Sequence, residues 1–157
     1  MITNDEFKGA LGRFASGVTV VTGVDKDGKF HGLTVSAFSS VSLEPRLILI
    51  CVATTSHCCK VFADSKKFAV NILSESQESI SNAFASKAAD RFAGVSFETG
   101  DSGLPLLSGC VANIECTLER SHDAGDHVIF IGRISNVRLS DRLPLTYFRG
   151  AYRKLQQ

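Results

Sequence analysis

Gly32-Leu33-Thr34-Val35-Ser36-Ala37-Phe38-Ser39-Ser40-Val41-Ser42-Leu43-Glu44-Pro45 is the stretch on which the fold turns. Leu33, Val35 and Ala37 alternate with Thr34, Ser36 and Phe38, the period of a half-buried β-strand. The alternation gives way to the hydroxyls of Ser39, Ser40 and Ser42. Pro45, lacking an N–H and holding Glu44 extended, then ends the strand. Leu47-Ile48-Leu49-Ile50-Cys51-Val52 follows without a polar break and suits a strand buried on both faces. A hydroxyl-rich corner between two core strands can hold an anion, most naturally a phosphate, through hydroxyls and loop N–H groups. The same serines can cap their own turn in solvent, and from these residues alone that plainer reading stands ahead.

On the N-terminal side, Val18–Val24 is a β-branched strand, and Asp25-Lys26-Asp27-Gly28 is hairpin-turn chemistry that returns the chain into the opening stretch. Before it, Thr3 or Asn4 caps a helix with Asp5 and Glu6 in its first turn. Phe7, Ala10, Leu11 and Phe14 form its apolar face, and Gly17 stops it. On the C-terminal side come a short helix over His57–Ala63, a strand over Phe68–Leu73 and a helix from Ser76, as its cap, to Ser86. Val111–Glu119 alternates as a strand with one wet face, and Ala124-Gly125-Asp126 turns into a long strand, His127–Val137. About six strands in hairpin succession with few helices predict a mainly β chain, folded as a small antiparallel barrel. No GxGxxG, P-loop, HExxH or GxSxG motif occurs.

The 157 residues read as a single domain, 1–157, large enough for a real core. A net charge of +1 with scattered lysines and arginines argues against a polyanion or membrane-surface partner. The five cysteines are an odd number without disulfide-framework spacing. Cys51, Cys110 and Cys116 read as small hydrophobes in apolar runs. Adjacent Cys58 and Cys59 beside His57 splay apart, so no metal site is expected. The polar, acidic start has no leader pattern, and the cytoplasm is the expected location.

Five ordered pieces carry a resemblance: Gly17–Thr22, Gly32–Pro45, Phe68–Leu73, Gly125-Asp126-His127 and Ile131-Gly132-Arg133. Across Phe7 to Tyr152 the chain resembles the short-chain flavin reductases, which supply reduced flavin to two-component monooxygenases. The resemblance implies an antiparallel, FMN-binding split β-barrel, a homodimer, FMN or FAD as cofactor and NADH or NADPH as co-substrate. It implies hydride transfer from dihydronicotinamide to flavin N5, with a partner monooxygenase receiving the product. Flavin contact is carried onto Thr34, Val35, Ser36, Ala37, Ser40 and Ser42, with Cys51, Val52, Ala53 and Thr54 as the next wall. Ser56 is either a ligand to an anion or an ordinary helix cap. Phe84, Ala85, Ser86 and Arg91 fall in the region that covers the flavin in the family. Arg91 is either a phosphate clamp or a surface cation paired with Asp90 or Glu98, and Phe92 reads as a core anchor. His127 is assigned to the nicotinamide side as the catalytic candidate, with Asp126 orienting it. Tyr147 and Tyr152 lie where C-terminal aromatics approach the nicotinamide, and each reads equally as packing.

Two other classes stand against this reading. One is a non-catalytic flavin- or haem-binding barrel, for which only His31, His57, His122 and His127 are candidate haem ligands. The other is a split-barrel flavoenzyme acting directly on its own substrate, such as a pyridoxamine-phosphate oxidase or corrinoid reductase. A nucleic-acid-binding barrel is disfavoured by the neutral charge.

Overall fold

Three helices and twelve strands form among residues 1–156, which the computed structural model describes. The first half holds α1 (Asn4–Leu11), β1 (Ser16–Gly17), β2 (Thr19–Val24), β3 (Phe30–Val35), β4 (Phe38–Ser42), β5 (Leu47–Ala53), α2 (His57–Ser65) and β6 (Lys67–Ile72). The second holds α3 (Glu78–Ala85), β7 (Phe97–Thr99), β8 (Pro105–Leu107), β9 (Ala112–Ala124), β10 (His127–Leu139), β11 (Thr146–Phe148) and β12 (Ala151–Arg153). Seven strands make one antiparallel sheet in the order β3-β2-β6-β9-β10-β5-β4. Its two edges, β3 and β4, are consecutive in the chain and separated only by Ser36-Ala37. Small sheets of β1-β11-β12 and β7-β8 pack beside it.

β2 and β6 are buried on both faces because both faces are covered. Alternate residues of a strand point to opposite faces. Val21, Phe68 and Val70 meet Val61 and Phe62 of α2, while Ala69 meets Leu104 and Leu106 around β8. Phe62 packs its ring against Phe68 and edge-on against Phe130. On the β8 side a buried polar knot is fully paired. Asn71 Nδ2 donates to the Val20 carbonyl at 3.0 Å, and its Oδ1 accepts from Leu107 N at 2.9 Å and Asn113 Nδ2 at 2.7 Å. Thr22 Oγ1 donates to the Pro105 carbonyl at 2.6 Å.

Several expectations need correction. The opening strand does not run through Phe38: it ends at Val35, and Ser39, Ser40 and Ser42 lie in edge strand β4 rather than in a turn. β5 is buried on alternate residues only, since Leu47, Leu49 and Cys51 face partly outward. Glu115, on the expected wet face of β9, is buried, accepting hydrogen bonds from Ser102 N at 2.8 Å and Asn136 Nδ2 at 3.2 Å. α1 has the Thr3–Glu6 capping box but stops at Leu11, five residues before Ser16 opens β1. Ser76 caps nothing; Gln77 precedes α3, and its Oε1 accepts the Ser74 N–H at 2.9 Å. All five cysteines are free thiols, and burial pushes Cys110 up to about 11 and Cys116 up to about 12.

Candidate functional site

A cleft of about 700 Å³ opens between three pieces of chain: the start of β3, the start of α2 and the segment after α3. β3 contributes Phe30, His31 and Gly32, preceded by Lys29; the α2 start contributes Thr55, Ser56, His57 and Cys58; the third wall is Ala88 to Phe92. Gly32 is required by what lies behind it. A Cβ there would sit 2.7 Å from Phe84 Cε1, so the cleft floor can approach the Phe84 ring only as glycine.

Arg91 Nη1 donates to the Gly32 carbonyl at 2.8 Å, which pins the guanidinium at the cleft wall and leaves its other N–H groups available. Neither expected carboxylate partner holds it: Glu98 pairs with Arg138, and Asp90 Oδ1 accepts from Phe92 N. Ser56 occupies the N-cap position of α2, yet its side chain makes no capping hydrogen bond. That hydroxyl, the N–H groups of His57 and Cys58 in the helix's first turn and the two cations Lys29 and Arg91 are groups that can together hold an anion.

The other expected flavin contacts divide. Thr34 Oγ1 donates to the Ser81 carbonyl of α3 at 2.6 Å. Val35 and Val52 are buried, so only their backbones can face a ligand. Ser36, Ala37, Ser40 and Thr54 are exposed, and Ser42, Cys51 and Ala53 are half-buried. Phe84 is fully buried and packs edge-on against Phe92 at 4.9 Å, so its ring serves the core rather than a ligand. Ala85 is exposed, and Ser86 Oγ closes the end of α3 on the Ala83 carbonyl at 2.7 Å. Phe92 combines packing with a place in the cleft wall.

His127 opens β10 directly across from Ala53, and the preceding turn needs Gly125 at φ +67°. Its Nδ1 lies 2.7 Å from Asp126 Oδ1, and that hydrogen bond holds the Asp126 carboxyl below its usual range. The Asp126 carbonyl accepts from Thr54 N at 2.9 Å and Thr54 Oγ1 at 3.1 Å. The turn is thereby locked to the end of β5, bringing His127 beside the Cys51–Thr54 wall. Tyr147 and Tyr152 face each other across β11 and β12 with rings 5.3 Å apart. Tyr152 accepts from Ser81 Oγ at 2.7 Å and donates to Asn82 Oδ1 at 3.1 Å. Ser81 thus links Thr34 on one side of α3 to Tyr152 on the other.

The sequence reading missed Lys29, His31, His57 and Ala88–Asp90 as cleft residues. His31 stands one residue before the opening stretch and His57 one after Ser56, so adjacency to two expected contacts was the available clue. Among the described residues no group of histidine, cysteine and carboxylate side chains is arranged to hold a metal ion, and no helix is long and apolar enough to cross a membrane.

Residues 11–156 match the flavin reductase like domain family. A probable flavin reductase of Rhizobium meliloti is 45% identical over 143 residues, covering 91% of this chain and 46% of the relative. The reductase component of the flavin-dependent trigonelline monooxygenase of Acinetobacter baylyi is 44% identical, with 94% and 47% covered. The chain therefore spans about half the length of these two relatives. Among solved structures, the NADH:FAD oxidoreductase SgcE6 of Streptomyces globisporus, in complex with NAD and FAD fragments, superposes with a TM-score of 0.93 at 32% identity, covering 99% of this chain and 97% of that one.

Proposed function

The chain belongs to the flavin reductase like domain family, and from that premise we propose that it forms one split-barrel domain that reduces FMN or FAD with NADH or NADPH. The observation that carries the reading is the cluster of Arg91, Lys29 and Ser56 around the start of β3, the strand that leads into the serine-bearing strand β4. A flavin's phosphate fits that cluster, and its ring system fits the corner between Thr34 and Ser42 and the Cys51–Thr54 wall. The bound flavin supplies acceptance of hydride from a dihydronicotinamide. The protein's share is to clamp the phosphate, hold the ring at the β3–β4 corner and present His127 to the nicotinamide carboxamide. No protein nucleophile or acid is needed.

The sheet order supports a barrel split at the β3–β4 corner, because the two edge strands leave and enter that one corner. Apolar side chains left uncovered support a homodimer: Phe7, Leu11 and Phe14 at the N-terminus, and Leu139 at the end of β10, 81% exposed. The Acinetobacter relative supports a partner monooxygenase that takes up the reduced flavin. The test follows NADH and NADPH absorbance with FMN or FAD added separately. Oxidation that depends on added flavin is expected; flavin binding without nicotinamide oxidation would convert the reading to a carrier.

A further inference from the structure

The cleft is larger than one phosphate requires, and its β3 end carries a built pair that the phosphate contacts do not use. Asp25 Oδ1 accepts the backbone N–H groups of Asp27 and Lys29, each at 2.9 Å, which fixes the carboxylate within the β2–β3 turn. Its Oδ2 then meets His31 Nε2 at 2.7 Å. The two side chains are only 22% and 14% exposed. With Nε2–H committed to Asp25 and the His57 ring packed against it, the imidazole is held in one orientation, and the part of it that lines the cleft is what a ligand can meet. The His57 ring lies 4.9 Å away, and both histidines line the same cleft as Lys29 and Arg91. This end therefore offers two imidazole rings and, with Lys29 and Arg91 set against the carboxylate of Asp90 in the lining, a net positive charge, next to a site already suited to a phosphate.

Resting on the flavin reductase reading, we infer that His31, positioned by Asp25, is a specificity-determining residue that recognises the adenylate arm of FAD and makes FAD the preferred flavin. FMN ends at the phosphate that Ser56 and Arg91 hold, so it leaves the His31–His57 end unfilled. FAD places a second phosphate and a planar base there, the two groups that a cationic, aromatic surface selects. Asp25 touches no part of the ligand in this arrangement; its effect passes through the imidazole.

The experiment titrates FMN and FAD separately by fluorescence quenching into the wild type, His31→Ala, His31→Gln, Asp25→Asn and the Asp25→Asn/His31→Ala double variant, with circular dichroism to verify folding. The wild type is expected to bind FAD at least tenfold more tightly than FMN. Both His31 variants are expected to remove that ratio while moving the FMN Kd less than twofold. Asp25→Asn is expected to reduce the ratio and to add nothing in the His31→Ala background. AMP is expected to displace FAD from the wild type and to leave FMN bound. Equal affinities in the wild type, or a His31 loss shared equally by both flavins, would overturn this inference and leave the flavin reductase reading standing. Binding of neither flavin would overturn both.

Discussion

Arg91 Nη1 donates to the Gly32 carbonyl across 2.8 Å, tying the irregular segment after α3 to the strand that leads into the hydroxyl-rich corner. One guanidinium edge is spent on position, and the other is free to hold an oxyanion. A hydrogen bond to a charged group contributes about 1.5–3 kcal/mol. Arg91→Ala is therefore expected to raise the Kd of both FMN and FAD by about 10- to 100-fold, measured by fluorescence quenching. Arg91→Lys keeps the charge but cannot bind Gly32 and an anion through one planar fork, so it should recover only part of the affinity. Wild-type affinity in the alanine variant would place the phosphate elsewhere.

Gly32→Ala tests the cleft floor. The new methyl meets the fully buried Phe84 ring at 2.7 Å, and that ring is boxed in by Phe92. Overpacking of this kind costs about 1–3 kcal/mol. A lowered Tm is expected together with weaker flavin binding, because Arg91 hangs on the Gly32 carbonyl. An unchanged Tm would mean that Phe84 has room to retreat.

The sheet was legible because alternation and β-branching are local. Val18–Val24, Phe68–Leu73 and the His127 hairpin all stand where their patterns place them. Ser39–Ser42 misled because an edge strand facing solvent has the composition of a turn. Glu115 misled because its burial depends on Ser102 N, thirteen residues away, and on Asn136 across the β9–β10 pair. The same non-locality hid half of the cleft. Ser56 and Arg91 carried recognisable chemistry, whereas Lys29 and His31 join them only once β3 and α2 are brought together.

Asn71 should be the most sensitive polar position in the core. Its amide serves the Val20 carbonyl, the Leu107 N–H and Asn113 at once, in a region without solvent. Each buried group left unpaired costs about 1–3 kcal/mol. Asn71→Ala is expected to lower denaturant stability by at least about 2 kcal/mol, more than Asn113→Ala. Equal losses would show that the knot is not centred on Asn71.

Acid should loosen the β2–β3 turn. The hydrogen bond from His31, assisted by the Lys29 and Asp27 N–H groups, lowers the Asp25 carboxyl from 3.8 to about 2. A carboxyl whose folded value lies below its unfolded value contributes stability that is complete above about pH 4 and is lost as pH falls towards 2. Denaturant midpoints measured from pH 5 to pH 2 should fall more steeply in the wild type than in Asp25→Asn. Parallel curves would remove Asp25 from the account of acid sensitivity.

On the proposed reading His127 faces the nicotinamide. Asp126 holds Nδ1 at 2.7 Å, and the Thr54 bonds to the Asp126 carbonyl fix the turn, so the imidazole presents its Nε2 edge beside the end of β5. Loss of one such contact to a ligand is worth about 0.5–1.5 kcal/mol, or roughly 2- to 10-fold. His127→Ala is therefore expected to raise the KM for the nicotinamide by up to about tenfold while flavin Kd stays within about twofold. Asp126→Asn should move the same KM less, since the substituted amide can still accept from Nδ1–H but without the charge that fixes the ring. Steady-state kinetics at saturating flavin, paired with flavin titrations, separate the outcomes. A flavin Kd that rises as much as the nicotinamide KM would mean that His127 faces the flavin, and wild-type kcat/KM would mean that it faces neither.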